Sequence, residues 1–351
     1  MFLVFDKQNG WVMANRVTLE QIAEACGVTK GLVSRALAGK YNVGDEKRNI
    51  IMQKAVELGY DFEKLRTKSK KKNSVVIVVS SSILLKEDYW QPIIKNMYAT
   101  MNRSSVKMNY FVFDNDNIDI DSVKELKDNP CLAFVILHRN PDVVFKELVK
   151  FKKPIIEFDP KFMHATGSTQ IKYSNYTSIY DATQKLIDYG HKNICFYGSD
   201  MHAMSFRERH EGFLACIDTN KKNANGFSVI FDNTNQQYGD EQMLEAMLTS
   251  HKEITAIVCA NDICALDAYN VIAKMGKRIP EDYSVIGFDN IQKGREVSPT
   301  LSTFNVPREQ IGDEIGLYIN RLIQNERPQY SEFIIRCDFI ERESIRKIKE
   351  D

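Results

Sequence analysis

The sequence predicts an α/β protein in two parts: a small all-α helix-turn-helix head and a larger body built from doubly wound parallel sheets. Three observations predict it. Residues 18–60 hold three short helical patterns separated by glycine stops. From residue 75 onward, short apolar runs alternate with amphipathic helical segments. The zero net charge hides an asymmetry: residues 1–72 carry 14 Lys/Arg against 8 Asp/Glu, while the remainder carries 33 against 39. A basic module on an acidic body suits a nucleic-acid-binding unit joined to a separate sensor. A chain of 351 residues has room for two or three domains.

The head is justified residue by residue. Thr18 with Gln21 three positions on forms a capping box, so a helix starts at Leu19. Leu19, Ile22 and Ala23 share its inner face. Gly27 ends that helix, and Val28 carries the turn into the core. Thr29 caps a second helix whose Val33, Ala36 and Leu37 point inward while Lys30, Gly31, Ser34 and Arg35 point out; Gly39 ends it. Asp45 can cap a third, with Ile50, Ile51, Ala55 and Leu58 as its buried stripe and Gly59 as its stop. A short helix, a glycine turn and a second N-cap at this spacing form the device that lays a helix in the major groove of DNA.

These residues resemble the DNA-binding head of the lactose/galactose repressor (LacI/GalR) family of bacterial regulators. The matching pieces are I-A-x-x-x-G-V from Ile22, V-S-R-x-L-x-G from Val33 and A-x-E-L-G-Y from Ala55. The resemblance implies that Thr29, Lys30, Gly31, Ser34 and Arg35 read bases and phosphates of an operator, with Lys30 and Gly31 the main selecting pair. Thr18, Tyr41 and Asn42 complete the DNA-facing set. Leu32 and Ala38 depart from the family's usual Thr and Asn, which removes contacts that position rather than specify. Family chains normally begin near Met13-Ala14, so residues 1–15 are expected to be a disordered extension, 1–12 being a product of an upstream start or a true but unstructured addition.

Residues 61–74, DFEKLRTKSKKKNS, read as a basic hinge that lies on DNA phosphates. The family's hinge-helix motif is missing from it. Lys64, Arg66, Lys68 and Lys70, Lys71 and Lys72 are expected to supply electrostatic grip, and Leu65 is the one large aliphatic candidate for a minor-groove wedge.

In the body the apolar runs are 75–79, 110–113, 134–137, 155–158, 194–197, 256–260 and 285–288. Runs of this kind, buried on both faces, indicate parallel strands. Ligands of such sheets bind beyond the strand carboxyl ends. Four segments match the family: Tyr189-Gly190-His191-Lys192-Asn193-Ile194, the stretch SFRERHEGF from Ser205, and, after the later strands, Ala260-Asn261-Asp262 and Gly287-Phe288-Asp289-Asn290. The resemblance covers residues 16–345 and implies a periplasmic-binding-protein-like, two-lobed sensor with three crossovers. Lobe 1 is then 75–172 plus 304–331, lobe 2 is 173–303 plus 332–345, and 346–351 is a charged tail.

The expected effector contacts are Arg209, Asp289, Asn261, Asp159, Tyr89 and Trp90. Guanidinium offers fixed donors for hydroxyls or a carboxylate. Asp289 and Asp159 accept from hydroxyls, and Asn261 both donates and accepts. Tyr89 and Trp90 can stack on a sugar face. Asp262 reads as a helix N-cap, and Val306 stands where several sugar-responsive relatives have Gln.

No nucleophile elbow, P-loop, H-E-x-x-H or dinucleotide fingerprint is present, so an enzyme is not expected. Seven scattered Cys without a C-x-x-C pair read as reduced thiols, and neither metal nor cofactor is expected. No apolar run reaches membrane-spanning length, and the start lacks the pattern of a secretion signal. The reading is a cytosolic, homodimeric DNA-binding regulator, a repressor, whose operator affinity is set by a small ligand, a sugar or sugar derivative. The alternative co-effector is a phosphorylated carrier protein docking on lobe 1. A sugar-binding transport component would carry a signal peptide and no DNA head, and the sequence has the reverse.

Overall fold

The computed structural model describes residues 3–6, 10–13, 17–37, 43–60, 73–84, 87–114, 118–138, 141–160, 167–199, 203–231, 240–326 and 328–348. The chain divides into two units, residues 1–71 and 72–351.

In the first unit, helices Leu19–Ala25, Lys30–Leu37 and Asp45–Glu57 enclose a core of Ile22, Ala23, Val33, Ala36, Val43, Ile51, Ala55 and Tyr60. The capping box forms as expected: Thr18 Oγ1 accepts from Gln21 N at 3.3 Å, and Thr18 N donates to Gln21 Oε1 at 2.8 Å. Gly27 holds φ +63°, the left-handed turn between the first two helices that a side chain would strain.

Three expectations are corrected here. Gly44, not Asp45, occupies the N-cap of the third helix, without a side-chain cap. Ile50 and Leu58 are 53% and 39% exposed rather than buried. The inner face holds Ile51 and Ala55 four apart, and Ile50 lies a residue's rotation of about 100° away from it. Residues 1–15, expected to be disordered, contain strands Leu3–Asp6 and Gly10–Met13 paired antiparallel in the register Leu3↔Met13 to Asp6↔Gly10. Their β-branched and aromatic composition accounts for the pairing. Tyr41, Asn42, Lys64, Leu65 and Arg66, with the hinge 61–72, lie outside the described residues.

The second unit has two parallel sheets. The six-stranded one runs Glu332–Ile335, Thr169–Tyr173, Ile155–Phe158, Ala133–Leu137, Ser74–Ser80, Lys107–Phe113. The four-stranded one runs Ser284–Ile286, Ala256–Cys259, Asn193–Gly198, Asn225–Ile230. In each sheet the first strand in sequence is flanked by the second and the third, so a switch point opens beside it. All seven apolar runs fall in or overlap these strands. The more polar strands, TQIKY of Thr169–Tyr173 and NGFSVI of Asn225–Ile230, lack a continuous apolar run and were not anticipated.

Two of the crossovers between lobes meet in a two-stranded antiparallel ribbon, Thr303–Asn305 with Asp338–Ile340. The lobe boundary is corrected accordingly. Strand Glu332–Ile335 pairs with Thr169–Tyr173 and belongs to lobe 1, so the return to lobe 2 follows residue 335 rather than 331. The tail is also shorter than expected. Arg346 N bonds to Ser284 Oγ at 3.0 Å, and Ile348 N donates to Tyr189 O at 2.8 Å. His191 secures the same segment: it is 1% exposed, with Nδ1 2.8 Å from Thr255 Oγ1 and Nε2 3.1 Å from Arg346 O. Burial pushes its pKa down to about 4.

Candidate functional site

Two regions gather the expected site residues. In the head, helix Lys30–Leu37 buries Val33 and Ala36, which leaves Lys30, Gly31 and Arg35 exposed and Ser34 half-buried. Thr29 Oγ1 accepts from Leu32 N at 3.3 Å, holding the first turn. Lys30 forms an exposed ion pair with Glu20, and this bond draws the Glu20 carboxyl below its ordinary pKa. Thr18, named among the DNA-facing residues, has its hydroxyl engaged in the capping box.

In the body, side chains from the strand ends of both lobes converge on Arg209. It lies on helix Met204–Thr219 and is 1% exposed. Its Nε donates to Asn175 Oδ1 at 3.0 Å, Nη1 to Ala260 O at 2.5 Å and Nη2 to Tyr173 OH at 2.9 Å. Nη2 stands 3.7 Å from Asp289 Oδ1. Burial disfavours the guanidinium charge, but Tyr173, Asp289, Tyr89 and Asp159 outweigh it, and its pKa lies above the ordinary value.

Asp289 adopts φ +113° and Asp159 φ +53°, and His138 and Asn290 are also left-handed. Non-glycine residues in that region are strained and cluster at functional sites. Asp159 Oδ2 is 3.0 Å from His138 Nδ1, and its Oδ1 accepts from Ser205 N at 3.4 Å across the lobes. Burial pushes the Asp159 pKa up, but His138, Ser205 and Arg209 together outweigh it and the net shift is down. Asp289 moves the other way: burial, with Asp159 nearby, raises it to about 6 against the pull of Arg209 and Arg308. Further contacts join the lobes here, Met204 N to Pro160 O at 2.9 Å, Lys172 Nζ to Glu208 Oε1 at 2.6 Å, and Arg308 Nη2 to the Asp289 carbonyl.

Among the described residues, the buried polar atoms of this cluster that lack a hydrogen-bond partner are a pair of acceptors, Ser205 Oγ and Asp289 Oδ1, and one donor, Arg308 Nε. A buried acceptor without a partner costs about 1–3 kcal/mol, so the pair marks where a bound molecule would supply hydrogen bonds.

The structure brings Arg209, Asp289, Asp159 and Tyr89 together. Tyr89 OH lies 3.2 Å from Tyr173 OH, with Arg308 stacked over the Tyr89 ring at 5.0 Å. Trp90 is different: it is 4% exposed and packs edge-on against Phe158 at 5.7 Å and near His138 at 5.4 Å, so it forms a wall behind Asp159 rather than a stacking surface. Asn261 takes the capping role expected of Asp262. Asn261 is the N-cap of helix Asp262–Lys274, its Oδ1 accepting from Cys264 N at 2.9 Å. Asp262 is fully buried and accepts from Thr303 Oγ1 at 2.5 Å and Ile291 N at 2.8 Å. Burial, aided by Asp289, lifts its pKa to about 7.

Sequence reasoning missed Tyr173, Asn175, His138, Ser205 and Arg308. Tyr173 ends, and Asn175 closely follows, a strand with no apolar run to announce it. His138 did carry a signal, standing one residue beyond run 134–137.

Among the described residues no helix is long and apolar enough to cross a membrane. Residues 183–345 match a family model described as a periplasmic binding protein-like domain. The chain is similar to the HTH-type transcriptional regulator YvdE of Bacillus subtilis, 25% identical over 93% of this chain and 99% of that one. It is also similar to the HTH-type transcriptional repressor PurR of Haemophilus influenzae, 33% identical over 48% of this chain and 51% of the relative, about half its length. In fold it resembles a solved transcriptional regulator CelR–cellobiose complex, with TM-score 0.67, 22% identity and coverage of 94% and 100% of the two chains. It likewise resembles the lac repressor dimer bound to operator and an anti-inducer, with TM-score 0.65, 18% identity and coverage of 94% and 99%.

Proposed function

We infer that this chain is a member of the LacI/GalR family of bacterial transcriptional regulators, a cytosolic, homodimeric repressor whose grip on operator DNA is set by a sugar or sugar derivative bound between the two lobes. The observation that carries the ligand half is the pair of orphaned buried atoms, Ser205 Oγ and Asp289 Oδ1, beside a guanidinium already held in place. A polyhydroxy compound donates to Asp289 and both donates to and accepts from Ser205. The cellobiose in a fold relative supports that class.

For DNA, Lys30, Gly31, Ser34 and Arg35 present a basic, small-residue surface on the second helix of the head. Two heads on a two-fold axis would read a near-palindromic operator. Supporting the dimer, the outer face of lobe 1 carries a groove of about 530 Å³ lined by Trp90, Ile94, Tyr98, Tyr110 and Val112. Tyr98, Tyr110 and Val112 are 51%, 46% and 46% exposed, and a second copy of this chain would cover them.

The ligand can shift operator affinity only by its differential affinity for the two lobe arrangements. The test is fluorescence anisotropy of the full chain on its own upstream DNA at two salt concentrations, with a panel of sugars. Tight binding that one sugar abolishes or creates is the expected result. Binding that no sugar alters, but that a phosphorylated carrier protein does, would transfer the co-effector role to that protein.

A further inference from the structure

A second cavity, of about 460 Å³, lies at the crossovers and uses none of the cleft residues. One wall is a face of helix Asn175–Asp188 with its cap, presenting Ser174, Thr177, Ser178, Asp181 and Lys185. The other wall comes from the crossover strands: Phe304, Phe339, Arg336 and Ile334. The volume is in the range of small-molecule sites, about 300–1,000 Å³.

The charges of this cavity balance in an informative way. Lys185 is already paired with Glu341 at 2.8 Å. Asp181 and Arg336 form no ion pair among the described residues, and both line the space. One free carboxylate and one free guanidinium suit a ligand that carries one ammonium and one carboxylate. Such a ligand adds no net charge to a site that has none to spare. The hydroxyls of Thr177 and Ser178 provide further polar contacts, and the rings of Phe304 and Phe339, 5.0 Å apart, offer an apolar surface for the rest of the molecule.

We propose that this crossover cavity is a second ligand site, one that takes a free α-amino acid with an apolar side chain: carboxylate to Arg336, ammonium to Asp181, side chain on Phe304 and Phe339. The site is wired to the cleft by two short paths. Phe304 stacks on Phe288 at 5.4 Å, and Phe288 lies under the Arg209 guanidinium at 3.8 Å. Ser174, which lines the cavity, directly precedes Asn175, the acceptor for Arg209 Nε. Occupancy at the crossovers therefore bears on the residue around which the lobes close.

The experiment is calorimetric titration of the full chain with each of the twenty proteinogenic L-amino acids up to 10 mM, followed for any hit by its methyl ester. Expected is saturable binding of at least one apolar amino acid, one site per chain, weakened at least tenfold by esterification and by Arg336→Ala. Thr177→Trp, which fills the cavity from an exposed position, is expected to abolish it, while the conservative Thr177→Ser leaves it intact. Circular dichroism and melting confirm that each variant folds. The proposal is overturned if no amino acid binds saturably. It is equally overturned if a hit survives both Thr177→Trp and Arg336→Ala unchanged, which would put the ligand elsewhere.

Discussion

The guanidinium of Arg209 lies over the Phe288 ring, its Cζ 3.8 Å from the centroid, and from there reaches groups of both lobes. A cation on an aromatic face gains about 0.5–2 kcal/mol, the more when desolvated. This stacking holds the side chain still while its nitrogens bond to Asn175, Ala260 and Tyr173, so the charge that organises the cleft is set before any ligand arrives.

Arg209→Ala is therefore expected to destabilise the body by about 3–5 kcal/mol, the cost of breaking a buried charge network on one side. Urea denaturation measures it. The double variant with Asp289→Ala should cost less than the sum of the two singles, because Asp289 without Arg209 is already an uncompensated buried acid. Strict additivity would show that the 3.7 Å approach carries no coupling.

Gly212 leaves no room for a side chain. A Cβ there would stand 2.2 Å from the Tyr176 carbonyl oxygen of the neighbouring helix. Gly212→Ala must force the two helices apart, at about 1–3 kcal/mol. A melting temperature within a degree of the parent would mean the helices separate freely.

The pH dependence of stability follows from Asp262, whose folded pKa, about 7, is raised by burial. A raised acid favours the folded state when protonated, so its contribution is fully present below the unfolded value of about 3.9 and is lost as pH rises through about 7. Asp262→Asn removes this titration. The melting temperature of the parent minus that of the variant should be larger at pH 5.5 than at pH 8. His191 titrates in both proteins and cancels. An equal difference at both values would place the Asp262 pKa near normal.

In the head, Lys30→Ala is expected to relax base preference at one operator position by about 1–3 kcal/mol, whereas Arg35→Ala should weaken all sequences alike and reduce the salt slope by about 1. Competition binding against single-base operator variants at several salt concentrations separates the two. Identical behaviour of both variants would remove Lys30 from the selecting pair.

On the outer face of lobe 1, Tyr110→Asp should turn a dimer into a monomer by sedimentation velocity and weaken operator binding at least tenfold. A dimer that survives it would have its interface elsewhere.

The amino-acid sequence by itself determined the elements whose logic is local. The capping box of Thr18 and Gln21, the Gly27 turn and the outward row from Lys30 to Arg35 depend on neighbours within one helical turn. The buried strands announced themselves as apolar runs, and the polar residues just beyond them, Asp159 and Asp289, were legible because chain direction alone puts them at strand ends.

Tertiary structure decided whatever depends on partners distant in sequence. Which of Asn261 and Asp262 caps the helix turned on Thr303 and Ile291 capturing the Asp262 oxygens. The lobe boundary moved because strand Glu332–Ile335 found its partner in Thr169–Tyr173, more than 150 residues away. Tyr173 and Asn175 entered the site only once Arg209 was buried against them. Each of these outcomes is a choice among several acceptors or strand edges of similar chemistry, made by proximity in space, to which one-dimensional spacing is blind.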